Sequence, residues 1–247
     1  MKEDLNFKKK EITYLEKISN EYLTPDPGRI VDKKLVSLIV NEILPYIEGP
    51  DVLEMGFGDD EWTSKIINKI GHTHIVDASE TLIKKSKEKY GDKITTYGSL
   101  FEYFNPDKKF DTVIASYVLE HVEDPVQVLK KASEWLKPNG KLIAIVPHAG
   151  SLHRRLAVAM GLHKNLTDLG STDQQIGHRR VYTLDAFSED ITKSGYIIEE
   201  KLGFFSKLLP QSLMCDISDE MLIGLMEMSK KMPPEYAASI TFICKLR

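Results

Sequence analysis

The sequence predicts an α/β fold in which helices cover both faces of a doubly wound sheet of seven strands. A short apolar stretch, Val52 to Met55, runs directly into a turn that contains Gly56 and Gly58. A second apolar stretch ends in Asp77, 21 residues after Gly56. Five further strand-like stretches alternate with helical stretches along the rest of the chain, which is typical of repeated βαβ units.

Two helices are predicted before the first strand. Residues 1–22 carry apolar side chains at near-helical spacing, and residues 30–47 place apolar side chains on one face. Between them, residues 24–28 contain two prolines around an aspartate, which prevents a continuous helix. We expect residues 1–47 to form a helical cap that packs against the sheet and over its ligand cleft.

The first strand and its turn are the strongest indication of a ligand site. Glu54 is an acid near the end of a strand that is otherwise apolar, so we do not expect it to be a core residue. Gly56 and Gly58 allow the backbone to approach a ligand, and a helix predicted over residues 61–70 directs free N–H groups at the same place. A turn without a ligand fits this stretch equally well when it is taken alone.

The second strand, residues 72–77, adds a carboxylate suited to the two hydroxyls of a ribose. A nicotinamide-binding fold predicts the same acid at Asp77. Such a fold also requires a Gly-x-Gly-x-x-Gly turn, whereas Asp59, Asp60 and Glu61 follow Gly58 here. Three carboxylates would repel a pyrophosphate and would tolerate a cationic or zwitterionic ligand, so the sequence favours the second class of ligand.

The later elements follow from local signals. Ser79 is placed to cap a helix that runs to Tyr90, Asp124 starts another helix before Pro125, and Thr183 caps a third. A short helix ended by glycine is predicted within residues 151–161. The remaining strands are predicted at residues 94–97, 110–115, 141–146, 196–200 and 240–246, with a helix end at residues 138–140.

Several stretches together resemble the class I S-adenosylmethionine-dependent methyltransferases. Residues 53–58 resemble the first motif of that family, and Asp77 resembles its ribose-binding acid. The other matching stretches are residues 110–116, 118–125 and 135–140, so the resemblance covers residues 50–147 in the family's order and spacing. One departure is Asp60, which stands where the family usually has a third glycine or a small residue, so we expect a different loop shape there.

This resemblance implies a Rossmann-like methyltransferase fold with S-adenosyl-L-methionine as cofactor and S-adenosyl-L-homocysteine as product. It implies a last strand inserted antiparallel beside the sixth. It places Ser99 and Leu100 beside the adenine, where the family often has an acid that is absent here. The implied cofactor-binding residues are Glu54, Gly56, Phe57, Gly58, Asp77, Ala78, Ser99, Leu100, Ser116, Tyr117 and His121.

His121 has two interpretations within the resemblance. In many members the equivalent Glu-His pair holds the loop or packs beneath the cofactor. Some quinone-pathway O-methyltransferases instead use a Glu-x-x-Glu-His metal site at this place. Tyr117 replaces the first of those glutamates here, so we expect no bound metal.

Composition limits the cellular role and the partners. A chain of 247 residues with 42% hydrophobic content can bury one substantial core, so we expect a single domain over residues 1–247. The net charge of −4 gives no electrostatic reason for a nucleic-acid partner. Cys215 and Cys244 lie far apart without metal spacing, and no signal peptide or apolar run of about 20 residues is found, which indicates a cytoplasmic protein without a membrane partner. A homodimer is left open.

Within that domain, residues 50–147 are expected to bind the cofactor, and residues 148–182 and 204–235 to form acceptor-side insertions. The first insertion is rich in basic groups, including Arg154, Arg155, Arg179 and Arg180. Guanidinium groups suit phosphate or carboxylate, and pairing with Asp168, Asp173 and Asp185 in a solvated lid is the alternative. The second insertion contains methionines and aromatic residues that suit either an adaptable binding wall or the core of a docked helix.

The same segments contain the candidate catalytic residues. Methyl transfer from a sulfonium is an in-line displacement, so alignment of the acceptor supplies most of the rate, and a hydroxyl acceptor also needs a general base. Histidine titrates near neutral pH, so His178, His148 and then His153 are the candidate bases, with Tyr182 as an orienting hydroxyl.

The two basic segments resemble methyltransferases of bacterial surface-sugar and nucleotide-sugar pathways, which implies a small, anionic acceptor. O-methylation of a sugar, nucleotide-sugar or phosphate-type oxygen is the leading hypothesis. N-methylation of an amino-sugar or another small metabolite is the alternative. A nicotinamide-dependent oxidoreductase and an inactive cofactor-binding protein are alternatives from other classes.

Overall fold

The computed structural model describes residues 2–24, 27–58, 60–210 and 213–247. It contains one seven-stranded sheet in the order β3-β2-β1-β4-β5-β7-β6, with β7 antiparallel to both of its neighbours and the other strands parallel to one another. The strands are β1 (Val52–Met55), β2 (Thr73–Asp77), β3 (Ile94–Gly98), β4 (Phe110–Ser116), β5 (Leu136–Pro147), β6 (Tyr196–Phe204) and β7 (Ser239–Leu246). The predicted α/β class and the insertion of the last strand are confirmed.

Helices pack on both faces of this sheet. Among the described residues they are α1 (Lys2–Leu23), α2 (Pro27–Ile43), α3 (Glu61–Ile70), α4 (Glu80–Tyr90), α5 (Pro125–Trp135), α6 (Leu152–Ala159), α7 (Ser171–Gln175), α8 (Leu184–Lys193) and α9 (Asp219–Ser229). Apolar side chains of α5 and α8 form the core on one face. Those of α2, α3 and α9 form the core on the other face, as a doubly wound sheet requires.

The predicted helix caps are confirmed. The side chains of Ser79, Asp124 and Thr183 accept backbone N–H groups of Leu82, Gln127 and Ala186, respectively, at the starts of α4, α5 and α8. Each cap satisfies an N–H group that has no partner within its helix. Gly161 follows α6 with a φ of 75°, as expected for a glycine that ends a helix.

The prediction for β5 was wrong at its start. The turn expected at residues 138–140 belongs to the strand, which begins at Leu136 directly after α5. Leu136 pairs with Phe110, and the register then shifts before Lys141 pairs with Thr112. A Cβ at Gly140 would lie 2.9 Å from the carbonyl oxygen of Phe110, so this glycine allows close packing of the irregular segment.

Other boundaries differ more modestly. Helix α2 ends at Ile43 rather than at residue 47, and β6 continues to Phe204, four residues past its predicted end. The predicted turn at residues 24–28 lies partly outside the described residues. Within the described part of the chain, no helix combines the length and apolar character needed to cross a bilayer.

Candidate active site

The candidate site lies at the sheet edge where β1, β4, β5 and β6 end and β7 begins. Open α/β sheets bind their ligands at this edge. The described non-glycine residues with positive φ all follow strands here: Asp60 (69°), Tyr117 (54°) and Phe205 (61°). Each such conformation costs about 1–3 kcal/mol and persists only where the surrounding structure imposes it. The backbone at this edge therefore has a constrained shape that the rest of the fold supports.

In the glycine turn after β1, Gly56 packs against neighbouring residues and Gly58 faces open space. Gly56 has a φ of 79°, and its N–H donates to the carbonyl oxygen of Val76 at 2.8 Å. A Cβ at Gly56 would lie 3.2 Å from Val118 Cγ1, whereas a Cβ at Gly58 would meet nothing within 4 Å. Gly58, with a φ of 51°, therefore presents bare backbone to open space beside the turn.

Asp77 ends β2, and its carboxylate lies against the glycine turn. Oδ2 accepts the N–H of Phe57 at 2.9 Å, and Oδ1 accepts the N–H of Ser79 at 2.8 Å. Burial raises the pKa of Asp77, and these two N–H groups offset part of that rise. Each oxygen keeps capacity for a further donor, so the carboxylate can still accept the two hydroxyls of a ribose.

Asp60 has a backbone conformation that glycine adopts more readily than other residues. Its φ of 69° lies in the left-handed region, which aspartate tolerates better than most residues. Its carboxylate pairs with Lys89 and, at 3.6 Å, with Lys33, which also lies 3.5 Å from Glu61. Asp59 lies outside the described residues. Lysines balance the charges of Asp60 and Glu61. These carboxylates therefore repel a pyrophosphate less strongly than the sequence suggested.

The other predicted cofactor residues of the first motif are buried, so the expectation that Glu54 lies outside the core was wrong. Glu54 is 2% exposed, and its Oε2 accepts the hydroxyl of Thr63 at 2.5 Å, which ties the end of β1 to α3. Phe57 packs in a small core with Ile67 and Leu82. The side chains of Glu54 and Phe57 therefore support the turn from its buried side.

The predicted adenine side adjoins Asp77. The N–H of Ser99 donates to the carbonyl oxygen of Asp77 at 3.0 Å, and Leu100 is buried beside it. Ala78 lines a groove of about 450 Å³ together with Ile12 of α1 and residues of α4. The N-terminal helix thus covers this end of the cleft.

At the end of β4, Ser116 and Tyr117 face neighbouring strand ends. The Tyr117 hydroxyl lies 2.8 Å from Ser239 Oγ, so it reaches across the end of β5 to the start of β7. Ser116 Oγ is buried, and no described residue gives it a hydrogen-bond partner. A buried polar atom of this kind indicates a missing ligand or water.

A cluster of titratable side chains joins the loop after β4 to the basic segment. His178 Nδ1 lies 3.0 Å from Asp173 Oδ1, and His178 Nε2 lies 3.9 Å from Glu120 Oε1. The His121 ring packs edge to face on His178 at 4.8 Å, and His121 Nδ1 lies 3.3 Å from the carbonyl oxygen of Gly177. Both oxygens that face the imidazoles can only accept, so each Nδ1 carries a proton.

Burial controls the charges in this cluster. It raises the pKa of Glu120 to about 7, and neither oxygen of that carboxylate has a hydrogen-bond partner among the described residues. It lowers the pKa of His121 to about 3. Burial also acts to raise the pKa of Asp173, but the hydrogen bond from His178 and the charge of Arg154 outweigh it and hold that pKa below its usual value. Asp173 is therefore the stable anion of the cluster.

The cluster also has metal-binding capacity. Ligand atoms of Glu120, His121 and His178 lie within 4.8 Å of one another. Two imidazoles and a carboxylate are donors that suit Zn²⁺ or another divalent transition ion, and oxygens behind the imidazoles are typical of metal sites. The absence of a metal, which the sequence suggested from Tyr117 alone, therefore stays a prediction.

Comparison with known proteins settles the family. The family model described as methyltransferase domain matches residues 28–201, well over half of the chain. The chain belongs to this methyltransferase domain family.

Two curated proteins and one solved structure are similar to the chain. An uncharacterized methyltransferase of Geobacillus sp. (strain WCH70) is 27% identical over 159 residues, which cover 61% of this chain and 71% of that protein. A demethylmenaquinone methyltransferase of Listeria welshimeri is 31% identical over 106 residues, 40% of this chain and 45% of the relative. The structure of the N-methyltransferase NodS from Bradyrhizobium japonicum, in complex with S-adenosyl-L-homocysteine, superposes with a TM-score of 0.57 at 13% identity, covering 93% of this chain and 96% of NodS.

This methyltransferase uses S-adenosylmethionine as its cofactor. The described residues fit that molecule: Asp77 offers two oxygens for ribose hydroxyls, Gly58 leaves open space beside the turn, and Ser116 Oγ lacks a partner. Lys33 and Lys89, the lysines beside the acidic turn among the described residues, both pair with Asp60. They therefore leave no unpaired positive charge there that would repel a cationic sulfonium.

The other three predicted catalytic residues of the methyltransferase are less well placed than His178. Tyr182 is 3% exposed, and its hydroxyl donates to Asp190 Oδ2 at 3.1 Å within the core beneath α8. His148 Nδ1 donates to the carbonyl oxygen of Ala237 at 3.0 Å, and burial lowers the His148 pKa. Burial lowers the pKa of His153 to about 3, which makes it a weak base. Asp190 thus occupies the hydroxyl that was expected to orient the acceptor.

The four predicted acceptor-binding arginines all bond to protein oxygens. Arg154 pairs with Asp173 and donates to the carbonyl oxygens of residues 166 and 168. Arg155 Nε donates to the carbonyl oxygen of residue 150 at 2.7 Å. Arg179 pairs with Glu11 at 2.6 Å, and Arg180 donates to carbonyl oxygens of residues 119, 122 and 123. Of the pairings that the sequence left open as the alternative, only that of Arg154 with Asp173 is present; the other three arginines bond to Glu11 or to backbone carbonyl oxygens.

Sequence reasoning missed three contributors to the site. Glu16 of α1 accepts the hydroxyl and the N–H of Thr81 at the start of α4, four residues beyond Asp77. Glu120 and Asp173 complete the cluster around His178. The five-residue spacing of Asp173 and His178 is a local signal that could have identified that pair, whereas Glu16 and Glu120 depend on long-range contacts.

Proposed function

We propose that this enzyme transfers a methyl group to an oxygen of a small, anionic acceptor, and that His178 removes the acceptor proton. The observation that carries the proposal is the 3.0 Å contact between His178 Nδ1 and Asp173 Oδ1. It holds the imidazole in the tautomer with a free Nε2, and the Asp173 carboxylate would stabilise the imidazolium that forms when Nε2 accepts a proton.

When bound, S-adenosylmethionine supplies an electrophilic methyl group on a sulfonium. Asp77 would hold the ribose, and the glycine turn would leave room for the methionine portion. Tyr14 donates to the carbonyl oxygen of Gly177 at 3.0 Å, so α1 fixes the loop that carries His178 and closes the cleft against water. The chain's own residues thus supply alignment and proton removal.

The acceptor class rests on the resemblance to surface-sugar and nucleotide-sugar methyltransferases and on the basic segment around Arg154 and Arg179. A sugar, nucleotide-sugar or phosphate-type oxygen would suit it. The single-domain organisation over residues 1–247, with residues 148–182 and 204–235 on the acceptor side, belongs to the same proposal. Assembly as a homodimer is also part of the proposal, and it rests on no contact within the described chain.

N-methylation is the second candidate, and Glu120 favours it. This fully buried carboxylate has no hydrogen-bond partner among the described residues, and an ammonium group would pair with it. An amino-sugar is the corresponding acceptor. The relative named an N-methyltransferase, NodS, shows only that the fold is compatible with this chemistry.

The test begins with calorimetry of S-adenosyl-L-homocysteine and continues with transfer of a labelled methyl group to a panel of acceptors. The panel contains sugar phosphates, nucleotide-sugars and amino-sugars, each with a matched analogue that lacks the methylated group. Product from an anionic hydroxyl acceptor supports the proposal, and product from amino-sugars alone supports the second candidate. Cofactor binding without product from any acceptor of the panel would indicate a protein that has lost catalysis. Absence of cofactor binding would overturn both O-methylation and N-methylation.

A further inference from the structure

Lys33 of α2 lies beside the glycine turn and faces two carboxylates. Its Nζ is 3.6 Å from Asp60 Oδ1 and 3.5 Å from Glu61 Oε1. Hydrogen bonds between charged groups are shorter, at about 2.7–2.9 Å, so both contacts are ion pairs without a close hydrogen bond. The Lys33 side chain is also 48% exposed. Its ammonium group therefore keeps N–H donors for an additional acceptor.

Two lysines nearby have different contacts. Lys34, the next residue on α2, donates to Asp219 Oδ1 of α9 at 2.6 Å, and its side chain is equally exposed, at 48%. Lys89 of α4 donates to Asp60 Oδ2. Among the described lysines that pair with the acidic turn, Lys33 is thus the one without a close hydrogen bond to a carboxylate.

The sheet order indicates which part of the cofactor approaches Lys33. Asp77, the predicted ribose ligand, ends β2, which lies between β3 and β1. The predicted adenine side follows β3, so the methionine portion extends in the other direction, over the turn after β1. Gly58 presents bare backbone to open space there. Asp60 lies two residues after Gly58, and Lys33 is held against it.

The methionine portion carries an ammonium and a carboxylate, and the turn offers charges of both signs. Asp60 and Glu61 suit the ammonium group but would repel the carboxylate unless a cation lies beside them. We propose that Lys33 binds this carboxylate while Asp60 and Glu61 face the ammonium group. Lys33 lies outside the stretches that resemble the methyltransferase family, since it belongs to α2 and precedes β1. It would contribute to cofactor affinity whichever acceptor the enzyme uses.

Calorimetry of the full chain with two nucleosides tests this role of Lys33. One is S-adenosyl-L-homocysteine, and the other is its decarboxylated analogue, which keeps the amine. The wild type should bind the first about tenfold more tightly, as expected for one hydrogen bond between charged groups. Lys33→Met should lose about tenfold in affinity for S-adenosyl-L-homocysteine and bind the analogue at least as tightly as the wild type does, whereas Lys33→Arg should retain most of the preference. Lys34→Met is the matched control and should keep wild-type affinity for both.

The outcomes separate a ligand contact from a structural contribution. An unchanged preference in Lys33→Met would overturn the proposal. Equal losses for both nucleosides would also overturn it, because they would indicate that Lys33 only supports the turn. A wild-type protein that binds neither nucleoside would contradict the cofactor itself, and the assignment of Lys33 with it.

A second measurement needs no variant. Acetylation of lysines by acetic anhydride is followed by mass spectrometry with saturating S-adenosyl-L-homocysteine, with the saturating analogue, or with neither. We expect S-adenosyl-L-homocysteine to slow modification of Lys33 about fivefold and the analogue to slow it at most about twofold, because only the first occupies its N–H donors. Lys34, with the same exposure, is the internal control and should react equally in all three samples. Equal protection of Lys33 by both nucleosides, or protection by neither, would overturn the contact with the carboxylate.

Discussion

Asp77 shows how one side chain can shape a turn and bind a ligand at the same time. Its carboxylate accepts the N–H groups of Phe57 and Ser79 and keeps two acceptor positions for a ribose. Asp77→Ala should weaken binding of S-adenosyl-L-homocysteine by about 1–3 kcal/mol, because buried donors lose their acceptor. Calorimetry measures this change, with exposed Asp107→Ala as the control. An unchanged dissociation constant for Asp77→Ala would remove this residue from the cofactor site.

His178 carries the chemical prediction at the same scale. His178→Asn should lower kcat by about 100-fold or more, the usual contribution of a general base, and leave the cofactor dissociation constant unchanged. Asp173→Asn should lower kcat less, because the imidazole remains but loses the carboxylate that orients it. Steady-state kinetics on an acceptor found in the panel checks both variants, with His163→Asn as a control on the lid. Wild-type kcat in His178→Asn would show that alignment alone drives the reaction.

Individual residues differed in how far the sequence could predict their positions. The proximity of Asp77 to the turn with Gly56 and Gly58 was predictable because fixed spacing within one βαβ unit brings them together. Asp60 was misleading, since its identity breaks the motif while its φ of 69° preserves the glycine conformation. The partner of each arginine depended on contacts across the fold, so composition alone did not reveal that protein oxygens occupy them.

The N-terminal helix α1 connects the two halves of the site. Glu16 caps the start of α4 next to the cofactor residues, and Tyr14 and Glu11 hold the lid through Gly177 and Arg179. The helix α1 was correctly predicted from spacing, but these contacts link residues far apart in sequence and leave no local signal. Likewise, the helix caps were predictable, whereas the start of β5 was set by pairing with β4.

Removal of one α1 contact should loosen the lid. Tyr14→Phe deletes the hydrogen bond to the carbonyl oxygen of Gly177, which is worth about 1 kcal/mol, so lid amides near residues 170–180 should exchange with solvent about fivefold faster. Hydrogen exchange followed by mass spectrometry checks this. Tyr46→Phe is the matched control, because its hydroxyl bonds to Glu200 away from the lid. Equal exchange in both variants would show that α1 does not restrain the lid.

At the scale of the whole molecule, the cluster around His178 opposes the stability of the fold. Open α/β sheets gather polar groups at one edge, and here that edge contains a fully buried carboxylate and constrained backbone. The rest of the sheet is apolar on both faces and compensates for these costs.

The cost of burying Glu120 can be measured as a pH dependence of the free energy of unfolding. Its pKa rises from an ordinary value of 4.5 to about 7 on folding, so the folded state binds the proton more tightly than the unfolded state. Stability therefore falls as pH rises from about 4.5 to 7, and the full cost, about 3 kcal/mol at 1.36 kcal/mol per pKa unit, is present above that window. Glu120→Gln stays neutral at every pH, so it should match the wild type near pH 4.5 and be more stable by up to about 3 kcal/mol at pH 8.

Denaturant unfolding at these two pH values measures the difference, with exposed Glu134→Gln as the control. A variant less stable than the wild type at pH 8 would show that the Glu120 carboxylate has a stabilising cation in the native protein. Metal analysis before and after chelation then distinguishes the sources. A retained divalent ion whose removal destabilises only the wild type would assign Glu120, His121 and His178 as its ligands, in contradiction of the predicted metal-free site.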